Sequence, residues 1–156
     1  MTERVRELVK ATVAARAKVI DLAGHLSPAQ LDTATANEGW TIKDTLAHLS
    51  SIEARVRAML TAAINGAPWS ADRADLDAFN LECVKARRSW TAAEIIDELR
   101  QTGAETDAVL AGLSGVDLDR EWSHPIFGPM TIERTAGIIA RHLHAHSLQL
   151  EAALDQ

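Results

Sequence analysis

Residues 39–49 read Gly39-Trp40-Thr41-Ile42-Lys43-Asp44-Thr45-Leu46-Ala47-His48-Leu49, and this stretch decides how the rest of the chain is read. Thr41 stands where a side-chain oxygen can hold the amide three residues on. Asp44 puts a carboxylate in the first turn, where the helix dipole favours negative charge. Ile42, Leu46, Leu49, Ile52, Val56, Met59 and Ile64 then recur at helical spacing. The spacing predicts a helix to about Asn65, where Gly66-Ala67-Pro68 stops it. His48 lies on or beside that apolar stripe.

Upstream, a helix is expected from about Thr2 to His25, with Val5, Leu8, Val9, Val13, Ile20 and Leu22 turned inward. Ser27-Pro28-Ala29-Gln30 reads as a capping box with proline at the first helical position, predicting a short turn that ends by Asp32. Downstream, a third helical region runs from about Ala71 to Leu113. Arg87-Arg88-Ser89-Trp90 interrupts it and Thr91-Ala92-Ala93-Glu94 offers a second capping box, so one kinked helix or two would fit. Ser114 to Met130, with Pro125, Gly128 and Pro129, reads as one long loop of the kind that covers a site. The last helix is expected from about Thr131 to Leu154. Tyrosine is absent, aromatics are only 4%, and no period-2 run stands out, all of which favours helix over sheet. These segments predict an all-α, antiparallel four-helix bundle spanning 1–156 as one domain, with a long loop before the last helix.

Acids outnumber bases 22 to 16 and the net charge is −6, so the basic stripe of a nucleic-acid binder is missing. The first residues are charged throughout, and no stretch approaches the roughly 18 apolar residues of a membrane span. One cysteine, Cys83, excludes an internal disulfide framework and suits a reducing compartment. A cytoplasmic protein with a small-molecule substrate, no nucleic acid or membrane partner and room for a homodimer is the expectation. No glycine-rich phosphate loop, serine-hydrolase elbow or His-Glu-x-x-His run occurs, which leaves nucleotide cofactors and serine chemistry without support.

Histidine carries the chemical signal. His142 and His146 are four residues apart, about 40° around a helix and about 6 Å along it, so both rings can meet at one point. They continue the face of Ile132, Thr135 and Ile139, whereas His144 is turned about 200° from His142. A third imidazole from a neighbouring helix, His48, would complete a set of three nitrogens. Such a set suits zinc, nickel, copper or iron and leaves positions open for water or substrate. Alone, a helical His-x-x-x-His pair is commonly two ordinary polar residues, and a lone His48 a satisfied core residue. The pair and the single residue together make the case.

The segment Gly39 to Leu49, followed by His142-x-x-x-His146-x-x-Gln149, resembles the DinB/YfiT-like superfamily of metal-binding four-helix bundles. The resemblance covers nearly the whole chain in helix order and length. It implies His48, His142 and His146 as ligands of one divalent ion, zinc or nickel foremost. Gln149 falls where many members carry glutamine. The Gly-Trp-Thr-Ile-Lys-Asp opening most resembles the mycothiol-dependent maleylpyruvate isomerase branch, which often has glutamate in place of His142 and carries a second domain.

That likeness implies a metal-dependent enzyme using a low-molecular-weight thiol of the mycothiol, bacillithiol or glutathione type, an S-transferase or isomerase. The alternatives are a metal-water hydrolase and a non-catalytic metal- or small-molecule-binding protein that sequesters or protects. Arg55, Arg87 and Arg141, with Arg88, are candidates to gather a cofactor or substrate carboxylate, or else surface ion-pair residues. His124 is a candidate base or fourth ligand, or an exposed loop histidine. Glu53 fits either an orienting partner for an imidazole or a solvated face. Cys83 fits a buried structural role better than a nucleophile, having no histidine near it in sequence. Trp40 and Trp122 are expected at the bundle ends, and Trp69 and Trp90 at helix boundaries.

Overall fold

Each long helix starts on a threonine whose hydroxyl oxygen accepts from an amide three residues on: Thr2 from Val5, Thr41 from Asp44, Thr91 from Glu94 and Thr131 from Arg134. In the computed structural model, which describes residues 1–37 and 39–155, these four residues begin α1 (Glu3–Gly24), α3 (Ile42–Ile64), α5 (Ala92–Ala111) and α7 (Ile132–Leu154). Ser27 heads the short α2 (Pro28–Leu31) through the expected capping box. Asp72 and Asp75 cap α4 (Arg73–Ala86) in the same reciprocal way.

The third helical region is therefore two helices, and only α5 enters the bundle; α4 lies against the outside of α3. The segment read as one long loop is also structured. It holds a helical turn, α6 (Gly115–Asp119), and a hairpin of β1 (Glu121–His124) and β2 (Gly128–Thr131), paired antiparallel with His124 opposite Gly128. Gly128 closes the three-residue turn with φ +71°, a left-handed conformation that glycine adopts without the Cβ penalty.

The four long helices form a ring in the order α1, α7, α3, α5. Two run each way. Arg4–Glu133 and Lys18–Glu151 ion pairs align α1 parallel to α7. Ser50–Glu98 and Arg57–Glu105 contacts align α3 parallel to α5. The two pairs oppose each other, so Leu46 near the start of α3 packs with Leu150 near the end of α7, and Leu60 packs with Ile132.

Two apolar clusters fill the interior. One gathers Val19, Leu46, Leu49, Leu99 and Leu143; the other gathers Val5, Leu60, Leu110 and Ile132. At this waist Arg16 of α1 donates to Glu53 of α3 at 2.6 Å and to Asp107 of α5 at 2.8 Å. Burial opposes the charge on Arg16, but the two carboxylates outweigh it and hold the guanidinium protonated. Gly103 leaves room for it: a Cβ there would stand 2.3 Å from Arg16 Nε. Val13, expected inward, is exposed, because Thr12 and Arg16 take the inward positions at that level. Among the described residues no helix is long and apolar enough to cross a membrane.

Candidate metal centre

His48 sits on the second turn of α3, and antiparallel α7 brings His142 and His146 beside it. His142 Nε2 lies 3.2 Å from His48 Nε2 and 3.2 Å from His146 Nε2. One proton on His142 can bridge only one of those contacts, whereas a cation satisfies all three nitrogens. The spacing also fits. Nitrogens held 2.0–2.1 Å from a tetrahedral zinc stand about 3.3–3.4 Å apart. His146 Nδ1 is 2.7 Å from Gln149 Oε1, so it donates there and presents Nε2 as an electron pair. Trp40 lies against His48 with ring centroids 5.2 Å apart, and His48 Nδ1 is buried without a partner.

Burial, with the nearby imidazoles, pushes His48 down to about 3. Burial, followed by the charge of His146, pushes His142 down to about 4. Burial lowers His146 as well, against the opposing effect of the hydrogen bond it donates to Gln149. All three are neutral near pH 7, the ligating form. They are the only cluster of three or more potential ligands among the described residues, and no fourth side chain joins them.

His48 and His142 open onto a cavity of about 240 Å³ enclosed by α3, α4, α7 and the hairpin turn. His124 lines it and is buried, not an exposed loop residue. Its Nδ1 accepts the amides of Ile126 and Phe127 at 3.1 and 3.2 Å, which leaves Nε2–H as the ring's donor. Burial lowers its pKa too.

Arg55 lines the same cavity, stacked over Phe79 with its carbon 4.5 Å from the ring centre. Arg87 does not: it pairs with Glu98 at 2.6 Å and covers Trp90. Arg141 is exposed and donates to the carbonyl of Arg134. Arg88 is exposed beside Asp44. Glu53 is neither solvated nor an imidazole partner, being committed to Arg16. Cys83 is half-buried. Trp122 donates to Thr135 beside the second apolar cluster. Trp69, expected only at a helix boundary, also lines this cavity. Phe79, stacked on Arg55, and Asn80, in the cavity wall, were not among the candidates the sequence offered. The readable signal was Asn80, a polar residue in the α4 stripe of Leu76, Phe79 and Cys83. A wider open groove of about 730 Å³ runs past Gly66, Asp72 and Trp122, but none of the three clustered histidines lines it.

Fold and site together define a helical bundle with a cluster of three histidines, able to hold a metal ion, between two of its helices. Residues 11–150 match the DinB superfamily, and the chain belongs to that family. YuaE, an uncharacterized protein of Bacillus subtilis, is 24% identical over 140 residues, covering 81% of this chain and 84% of that one. YfiT from Bacillus subtilis, described as a probable metal-dependent hydrolase with an unusual four-helix bundle topology, superposes with a TM-score of 0.77 at 17% identity over 98% of this chain and 87% of that one. A mycothiol-dependent maleylpyruvate isomerase superposes with a TM-score of 0.76 at 14% identity, with 96% of this chain spanning 63% of that one.

Proposed function

We propose that this chain is a divalent-metal-dependent enzyme that uses a low-molecular-weight thiol, as an S-transferase or isomerase. The observation that carries this reading is the convergence of three neutral imidazole nitrogens, without a fourth protein ligand among the described residues, at the wall of a cavity. Structural zinc sites are usually closed by four protein ligands, so a set of three favours chemistry over a purely structural role. A divalent ion on such a set supplies a lowered pKa to a thiol or water that it coordinates.

The chain's own residues do the rest. His48, His142 and His146 stay unprotonated at neutral pH, and Gln149 holds the His146 tautomer. The hairpin turn roofs the cavity and limits water. His124, with Nδ1 committed to two amides, offers Nε2–H to a developing negative charge or a leaving atom. The likeness to a mycothiol-dependent isomerase supports thiol as the nucleophile.

A second reading, hydrolysis by water, has its own support. The cavity of about 240 Å³ is below the usual range for drug-sized ligands, and YfiT is described as a probable hydrolase. The test uses protein purified without a histidine tag and loaded with zinc or nickel. Loss of free thiol against 1-chloro-2,4-dinitrobenzene is followed for mycothiol, bacillithiol and glutathione. Thiol turnover that stops on chelation and in His142→Ala is expected. Ester hydrolysis with the same dependence, without thiol turnover, selects the second reading. Turnover indifferent to chelation sinks both.

A further inference from the structure

Arg55 is a guanidinium cation drawn away from water without an acid to meet it. The other arginines withdrawn from solvent each face a carboxylate: Arg16 at 2.6 Å, Arg57 at 2.5 Å and Arg87 at 2.6 Å. Arg55 instead lies between two aromatic rings, 4.5 Å from the centre of Phe79 and 5.8 Å from that of Trp69, and pairs with no carboxylate among the described residues. Stacking fixes the plane of its fork but neutralises nothing, and a partly buried cation favours a counter-ion.

The counter-ion's place is the cavity that Arg55 lines. Asn80 lines it too, and its side-chain oxygen is buried with no hydrogen-bond partner. Arg55 and His48 are seven residues apart on α3, hence two turns apart on one face and about 10 Å along the axis. The remaining charges at the wall, Arg73 and Asp77, are exposed and of opposite sign.

We propose that this cavity takes a small molecule bearing one carboxylate, bound by Arg55, with a hydroxyl or N–H donated to Asn80. Its other end lies toward the three histidines. The assignment of that other end rests on the metal reading above; the carboxylate contact does not. Arginine's planar fork suits a bidentate carboxylate, and the cavity's volume limits the ligand to a few carbons beyond it.

Binding of butyrate and of its uncharged isostere butyramide separates the two assignments. Tryptophan fluorescence and ligand-observed NMR are recorded on the full chain, zinc-loaded and chelated. Butyrate is expected to bind both forms, with butyramide at least about tenfold weaker. Arg55→Met should remove that preference while binding as much zinc as the unsubstituted protein. Arg55→Lys, which keeps the charge but loses the fork, should weaken butyrate several-fold and retain some preference. The proposal is overturned if Arg55→Met, with unchanged circular dichroism, still prefers the acid. It is overturned equally if the unsubstituted protein shows no preference in the chelated form. A preference seen only with zinc would put the carboxylate on the ion, keeping the metal reading and discarding this one. A preference in chelated protein, joined to a failure of the histidine variants to lose zinc, would do the reverse.

Discussion

At His142 one ring nitrogen faces two others at 3.2 Å, and burial first, then that crowding, keeps His48 and His142 uncharged. Ala at 48, 142 or 146 should each remove most of about one bound transition-metal ion per chain, measured by elemental analysis. His144→Ala and His25→Ala should remove none, because those rings are exposed and turned elsewhere. Full retention in His146→Ala would end the site. The same burial sets a pH dependence. In the folded chain His48 and His142 take up protons only near about 3 and about 4, whereas an unfolded imidazole does so near about 6.5. Between those values the unfolded chain holds more protons, so metal-free protein should lose stability as pH falls below about 6.5. The slope is roughly 1.4 kcal/mol per pH unit for each histidine, and that stability is fully present above about 6.5. Urea midpoints of chelated protein at pH 7 and pH 5 that coincide would contradict this. The convergence of His142 and His146 was legible in the sequence because helical geometry places residues four apart on one face, whereas His48 joined them only through the likeness of Gly39 to Leu49 to the DinB/YfiT-like superfamily. Arg55, Arg87 and Arg141 could not be sorted that way. What separates them is tertiary placement: Glu98 claims Arg87 across the turn between α4 and α5, and Arg141 lies exposed along its own helix.

Among the elements, helix starts were readable residue by residue, since a cap and its partner lie three positions apart. Thr41 with Asp44 and Thr91 with Glu94 stand where the sequence put them. The hairpin before α7 was not readable. Its strands have four residues each, too few for an alternation to register, and Pro129 in β2 argues against a strand. Their pairing is decided by Gly128 and by His124, whose ring ties the turn to the cavity roof. Gly128→Ala should therefore cost about 1–2 kcal/mol, the penalty of a side chain in the left-handed region. It should also loosen the His124 ring, visible as a shift of its imidazole resonances toward solvent values. An unchanged urea midpoint with unchanged His124 resonances would show that the turn tolerates a Cβ. The division of the third helical region has a similar cause: α4 packs chiefly on α3, a choice made by tertiary contact that no local pattern states.

For the molecule as a whole, the charged waist is the feature least like a simple bundle. Arg16→Met leaves Glu53, 2% exposed, without its partner, and should cost about 3–5 kcal/mol in urea denaturation. Adding Glu53→Leu should recover much of that loss, because it removes the orphaned charge as well. If the double variant is no more stable than the single, the waist depends on Asp107 instead. The bundle's apolar stripes were legible, but this belt was not. Arg16 and Glu53 are 37 residues apart and Arg16 and Asp107 are 91 apart, so no window contains them. The parallel alignment of α1 with α7 bears on how the chain comes to be folded during synthesis. Arg4 meets Glu133 across 129 residues, so α1 is made well before α7 and waits for it before one of its faces is covered. Contacts of such long sequence separation slow folding relative to an up-and-down bundle. His48, too, is translated 94 residues before His142. The three-histidine cluster exists only once α7 has docked on α3, so a metal ion bound there would enter late in maturation and could not guide the earlier steps.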